Sequence, residues 1–396
     1  GLWLATGSRN EERHCSGISH FLEHMIFKGT PTRSSRRIKE EIEGRGGSLN
    51  GFTSEEITCY LAKVSGRHVG AALNVLSDMV LHAHMNQKDI ERERTVIIEE
   101  IKMYQDLPHY RVHDILSELM WPRHPLGLPV AGDLKSISSI TRKDLLDYKR
   151  SNYIPKNMVV VLCGNLDHDV AITRLNKLFG TRTKRRPVAF CRFNNLQAYP
   201  KLKILYKKTE QSHLSMGIHT TGRMHKDRFA ISLLHIILGA NMSSRLFENI
   251  REKKGLAYEI GTEVKRYRDT GAFIVNAGVE HKKVKDVTAL IIKELKEIRA
   301  RAVSGQELKR AKEFFKVQLL LALEDTMDHM LWLGERVLEA DRLPDKRSII
   351  KKVESVSIED LQRVAKRVFN KNNLSVAIVG PIGDGQKINI ERELDF

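Results

Sequence analysis

The chain has 396 residues, 41% hydrophobic and 29% charged, which excludes a disordered tail and provides for two or three cored domains. Lysine and arginine (66) outnumber aspartate and glutamate (49), and the net charge of +17 favours acidic partners without specifying any chemistry. The four cysteines, Cys15, Cys59, Cys163 and Cys191, form no CxxC pair, which excludes a disulfide scaffold and a cysteine zinc site and suits a reducing compartment.

In chain order, Gly1–Ala5 reads as a strand, too short for a signal peptide, and a start at glycine implies a lost initiator methionine. Helices follow at 18–27 and 37–43, then the turn Gly44-Arg45-Gly46-Gly47 and one or two strands over 50–64. Val69, Leu73, Leu76 and Val80 mark an amphipathic helix, and 89–101 reads as another. Thr141 opens a helix that leads to a buried strand closed by Gly164. No apolar run approaches the ~18 residues of a membrane span.

The order then repeats. Residues 138–164 lie without gaps over 354–380, so that Asp144 meets Asp360, Leu145 meets Leu361, Asn157 meets Asn373 and Gly164 meets Gly380. Asp89–Glu93 falls on Glu307–Ala311 and Ile18-Ser19 on Ile231-Ser232 at nearly equal offsets. Strands grouped with helices indicate an α+β fold, two homologous halves, each a mainly antiparallel sheet with helices on one face, enclosing a chamber between them. The expected division is 1–181, a connector over 182–200 and 201–396. Lys203-Ile204-Leu205-Tyr206 looks like a strand with no counterpart before Gly1, so the first sheet is expected to lack its leading strand.

One helix carries His20-Phe21-Leu22-Glu23-His24. At 3.6 residues per turn the imidazoles project from one face with Glu23 beside them, a pair able to hold Zn²⁺ given a third ligand and an open position. A surface helix with charged partners is the competing reading. Glu93 and Glu100 lie two turns apart on a face that also carries Val96 and Ile97, and carboxylates on an apolar stripe need a partner or a metal. At the matching positions the second half has Leu233, Ile236, Ile237, Ala311 and Gln318. Groups needed only for folding would be kept in both halves, so one half reads as active and the other as degenerate.

The stretch His20 to Thr30 (HFLEHMIFKGT) and the ERER-x5-E run ending at Glu100 resemble the pitrilysin (inverzincin) metallopeptidases, in the subgroup of the mitochondrial processing peptidase β subunit and its bacterial relatives. The resemblance runs from Gly1 to about Gly380 and implies a zinc-dependent endopeptidase acting on extended peptides. It implies Zn²⁺ on His20, His24 and Glu100, Glu23 as general base and Glu93 orienting His20 or His24. Asn50, Gly51, Phe52 and Thr53 resemble the family's edge strand, to which substrate adds, with Gly51 where alanine is usual; an ordinary hairpin is the plain alternative. Arg251 and Tyr258 match the pair that reaches the substrate backbone, and Phe27 the aromatic lining the pocket after the scissile bond. Asp114 falls where an acidic residue reads an upstream arginine, but its companion position is Tyr110, so strict arginine preference is not expected. No glycine-rich loop of the processing-peptidase α subunit is present, and a homodimer is expected.

The expected partners are therefore peptide substrates and a second copy of the chain, with no membrane span. The expected place is the bacterial cytoplasm, with an organelle matrix as the alternative. Two other functions compete: a catalytically silent relative, and a basic nucleic-acid-binding protein that rests on charge alone and lacks any recognition signature.

Overall fold

The computed structural model describes residues 1–180, 189–340, 343 and 345–394; the connector expected over 182–200 lies outside the described residues as far as 188. Two compact units form. One holds Gly1–Met103, Leu128–Cys191 and Leu321–Pro344, the other Tyr104–Gly127, Arg192–Leu320 and Asp345–Phe396. No helix among the described residues is long and apolar enough to cross a membrane.

The first unit is built on strands β1 (Leu2–Leu4), β2 (Ser48–Thr53), β3 (Thr58–Lys63) and β4 (Met158–Val160), all antiparallel in the order β2-β3-β1-β4. Side chains alternate across a strand, and here both faces are used. Leu2, Leu4 and Tyr60 enter a core with Phe21, Leu22 and Met25 of helix α1 (Ile18–Ile26) and Val75 and Met79 of helix α3 (Val69–His82), α2 (Ser35–Glu43) lying between these helices in sequence. Trp3, Cys59 and Leu61 face the other way, onto Met330.

The second unit has β5 (Lys201–Tyr206), β6 (Ser212–Thr221), β7 (Ala257–Arg266), β8 (Thr270–Val279) and β9 (Leu374–Gly380) in the order β5-β9-β6-β8-β7. Remove β5, the one strand paired in parallel, and the two orders coincide. The register agrees as well. Leu4 lies opposite Met158 and Thr58 in one sheet, and Ile218 opposite Leu374 and Phe273 in the other. Among the described residues no strand of the first sheet corresponds to β5. The final helices open as their sequences require, Thr141 capping with Asp144 and Ser357 with Asp360. β4 is shorter than the run to Gly164 suggested, ending at Val160.

Helices of each half cover one face of their own sheet, and the opposite face takes a helix from the other half of the sequence. Helix α4 (Gln87–Asp106) leads into α5 (Pro108–Met120), whose Val112, Ile115, Leu116 and Met120 pack on Ala272, Ile274, Ala377 and Val379 of the second sheet. In return, the helix Thr326–Ala340 packs under β1 and β4. The contacts are complementary in size. Trp3 fills the space over Gly334, where an added Cβ would stand 2.1 Å from the indole; in the other unit Gly217 leaves room for Met120 and Leu116.

Candidate metal centre

Two helices of the first unit build the site. In α1 the positions Ile18, Phe21, Leu22 and Met25 are buried against the sheet, which leaves His20, Glu23 and His24 on the adjoining, half-buried face. Gly17 begins the helix with φ +91°, a conformation suited to glycine, and an added Cβ would strike the Ala131 carbonyl at 2.5 Å. The first free N–H groups of α1 are met by a buried acid rather than by a local cap: Gly17 N–H and Ser19 N–H donate to Glu11 at 2.7 and 2.8 Å. Burial pushes the Glu11 carboxyl up to about 7 against these hydrogen bonds.

In α4 the buried stripe is Ile90, Glu93, Ile97 and Ile101, with Glu100 half-buried beside it. Val96, expected on the same face as Glu93 and Glu100, is instead 47% exposed, because the 90–93–97–101 line points a third of a turn away from it. Packing of α4 against α1 brings the ligand-type atoms of His20, His24 and Glu100 within 4.8 Å of one another. Both imidazoles present Nε2, His20 at 3.8 Å from Glu100 Oε1 and His24 at 3.7 Å from Oε2. The two rings meet edge to face with centroids 4.7 Å apart. Burial, aided by the charge of His24, pushes the His20 imidazole down to about 4, which keeps it neutral near pH 7.

The surrounding groups are specific. Glu93 Oε2 faces His24 Nδ1 at 3.2 Å, so of the two imidazoles His24 is the one it contacts, and its other oxygen lies 2.6 Å from Lys28 Nζ. Nδ1 of His20 is buried without a hydrogen-bond partner among the described residues. Glu23 receives a hydrogen bond from the Thr53 hydroxyl, 2.6 Å to Oε2. Burial raises the Glu23 carboxyl above its ordinary range, and the Thr53 hydrogen bond opposes that rise. The HFLEHMIFKGT stretch contains Lys28 but assigns it no role, and its place four residues after His24, one turn on, is the available signal.

β2 is the edge strand of its sheet, and its alternation divides the four residues singled out on it. Thr53 faces α1, and Gly51 packs under Phe27, where an added Cβ would sit 3.2 Å from the ring. Phe52 points to the opposite face and meets Trp3 edge to face at 5.7 Å. The Asn50 side chain turns back to accept from Gly51 N–H. Phe27 itself is half-buried, 6.0 Å from the Tyr60 ring.

Asp114, Arg251 and Tyr258 belong to the other unit. Asp114 lies on α5, 3.5 Å from Arg111, and burial raises its carboxyl above the ordinary range. Arg251 sits on a wide π-helical turn, Phe247–Glu252, a geometry that recurs at functional sites. Its guanidinium lies over Phe247 at 4.8 Å and Tyr258 at 5.8 Å, and Tyr258 is 75% exposed.

With this geometry in place, the chain can be set beside known proteins. Residues 1–134 match the family described as Insulinase (Peptidase family M16), and residues 139–315 match the Peptidase M16 inactive domain. A Mycobacterium tuberculosis protein named an uncharacterized zinc protease is 35% identical over 391 residues, covering 98% of this chain and 89% of its own. A Bacillus subtilis protein of the same description is 35% identical over 387 residues, covering 97% and 93%. Among solved structures, a protease from Helicobacter pylori superposes with a TM-score of 0.89 at 22% identity, over 96% of this chain and 93% of that one. A peptidase M16 inactive domain from Pseudomonas fluorescens gives 0.88 at 18%, over 96% and 92%. At these identities the structural likeness speaks to the fold.

Proposed function

This chain belongs to peptidase family M16, the insulinase family, and from that premise we propose that it is a zinc-dependent endopeptidase hydrolysing extended peptides or unfolded segments. The observation that carries the reading is the convergence of His20, His24 and Glu100 on one point, with Glu23 on the same helix face. Two imidazole nitrogens and one carboxylate are the donor set of a catalytic zinc site that keeps an open position, so the residues fit the ion. Zinc bound there supplies a Lewis acid and lowers the pKa of a bound water towards about 7.

The chain's own groups do the rest. Glu23 takes the proton of the attacking water on Oε1, because Oε2 is engaged by the Thr53 hydroxyl. Its raised carboxyl matches that task, since a base titrating closer to neutrality also returns the proton to the leaving amine. Glu93 holds His24 in the tautomer that leaves Nε2 free. The open edge of β2 offers N–H and C=O groups to an extended peptide, with Asn50, Gly51, Phe52 and Thr53 along it and Phe27 against the strand. Arg251 and Tyr258 bind the peptide backbone, and Asp114 contributes to side-chain selection. Residues 1–181 form the active half and 201–396 the degenerate half.

Within the family, the HFLEHMIFKGT stretch supports the processing-peptidase β-like subgroup. Absence of the α-subunit loop from the sequence supports a homodimer, and the bacterial source of the relatives, together with the four free cysteines of this chain, supports the bacterial cytoplasm. The test is Glu23→Gln assayed on a peptide library. Cleavage is expected to fall at least about 100-fold while bound zinc and the melting temperature stay as in the wild type. Undiminished cleavage by the variant, or no zinc-dependent cleavage by the wild type, overturns the reading.

A further inference from the structure

Glu93 is 4% exposed, and a carboxylate at that depth is costly unless both oxygens are engaged. Its oxygens have separate duties. Oε2 faces His24 Nδ1 at 3.2 Å, and Oε1 lies 2.6 Å from the Lys28 ammonium. Lys28 itself is placed by the helix that carries the imidazoles: it follows His24 by one turn, and its N–H donates to the Met25 carbonyl at 3.1 Å. The chain of contacts Lys28, Glu93, His24 therefore leaves the turn that closes α1, crosses to α4 and returns to α1. Two turns further along α4 lies Glu100.

We propose that Lys28 is a positioning residue of the metal centre: by holding one oxygen of Glu93 it fixes the other on His24 Nδ1, so that Nε2 of His24 points at the ion. The inference rests on the zinc reading above and deepens it. Two further observations support it. Among the described residues His20 has no partner on Nδ1, so of the two imidazoles only His24 is held in this way. In the second half, the positions of Lys28 and Glu93 hold Asn241 and Ala311, so both members of the pair are absent where the ligand-type residues are absent. A cation that merely neutralised a buried acid would affect stability alone; one that orients a ligand also sets metal affinity.

The experiment measures zinc affinity of the full chain by competition with a chromophoric chelator, and the visible spectrum of the Co²⁺ form. Lys28→Met is expected to weaken zinc binding about 10- to 100-fold and to alter the Co²⁺ bands, the range found for outer-shell partners of metal ligands. Lys28→Arg is expected to restore affinity to within about threefold, since it returns the charge to the same carboxylate. If folded Lys28→Met binds zinc as tightly as the wild type, with unchanged Co²⁺ bands, the proposal is overturned. Should Lys28→Met not fold, Glu93→Gln takes its place, and unchanged affinity there overturns it equally. Failure of the underlying zinc reading has a different signature: wild type and His20→Ala would bind zinc alike.

Discussion

The same pair of helices packs twice in this molecule, once around polar groups and once around apolar ones. In the first unit α1 and α4 bring two imidazoles and three carboxylates into a half-buried cluster. In the second, the helices Arg228–Leu238 and Gly305–Ala322 place Ile236, Ile237, Ala311 and Gln318 along a cleft of about 410 Å³, mainly apolar although Glu307, Arg310 and Glu313 also line it. Leu233, at the position of His20, is fully buried. The fold thus stands without the polar set. Burying ionisable groups costs free energy that apolar residues of similar size avoid, so their presence in one half calls for a reason other than packing.

The sharpest way to break that comparison is to give the first site the second half's residue. Glu100→Gln installs the counterpart of Gln318, nearly the same volume with no anionic donor. Zinc affinity is expected to fall by more than the roughly 100-fold associated with outer-shell changes, and peptide cleavage with it, while the urea midpoint is unchanged or slightly raised. Zinc content retained through dialysis would show that Glu100 is not a ligand.

How much of this is legible without coordinates depends on the range of each interaction. His20, Glu23 and His24 share a face because helical spacing is local, and the repeat exposes the two-sheet plan by simple self-comparison. Glu100 is marked by its place on the apolar stripe and by Gln318 in the repeat, but it is distant in sequence, and its pairing with the two imidazoles enters only through the family resemblance. The choice of His24 over His20 by Glu93, the Lys28 contact and the exposure of Val96 depend on how two helices are rotated against each other, which no local pattern encodes. The exchange of α5 for the helix Thr326–Ala340 is likewise hidden, because amphipathicity shows that a face is buried and not by which sheet.

That exchange supplies a second prediction, smaller in effect. Trp3 over Gly334 and Gly217 under Leu116 and Met120 form a large-on-small and small-on-large pair, so each helix suits the sheet it lies on and not the other. Gly334→Leu would force a side chain into the indole of Trp3, itself 2% exposed and without room to move. Overpacking of this kind costs about 3 kcal/mol, to be read from chemical denaturation of the full chain. A variant as stable as the wild type would mean that the size match does not hold this helix in place.

The last prediction tests the comparison at the base. By strand register Thr53 corresponds to Val264, since each lies opposite the residue that pairs with Leu4 in one sheet and with Ile218 in the other. The two side chains have nearly the same shape and differ by the hydroxyl that Thr53 donates to Glu23; at the position of Glu23 the second half has Ile236. Donor and acceptor are therefore absent together, as expected if the hydroxyl serves the carboxylate rather than the strand. Thr53→Val removes that hydrogen bond with little change in packing, and hydrogen bonds to charged groups contribute about 1.5 kcal/mol or more. The kcat of peptide hydrolysis should drop roughly 10-fold, with zinc affinity unchanged because no ligand loses a partner. A fall confined to KM would instead assign the hydroxyl to the peptide, making Thr53 a residue of the docking edge rather than a support for Glu23.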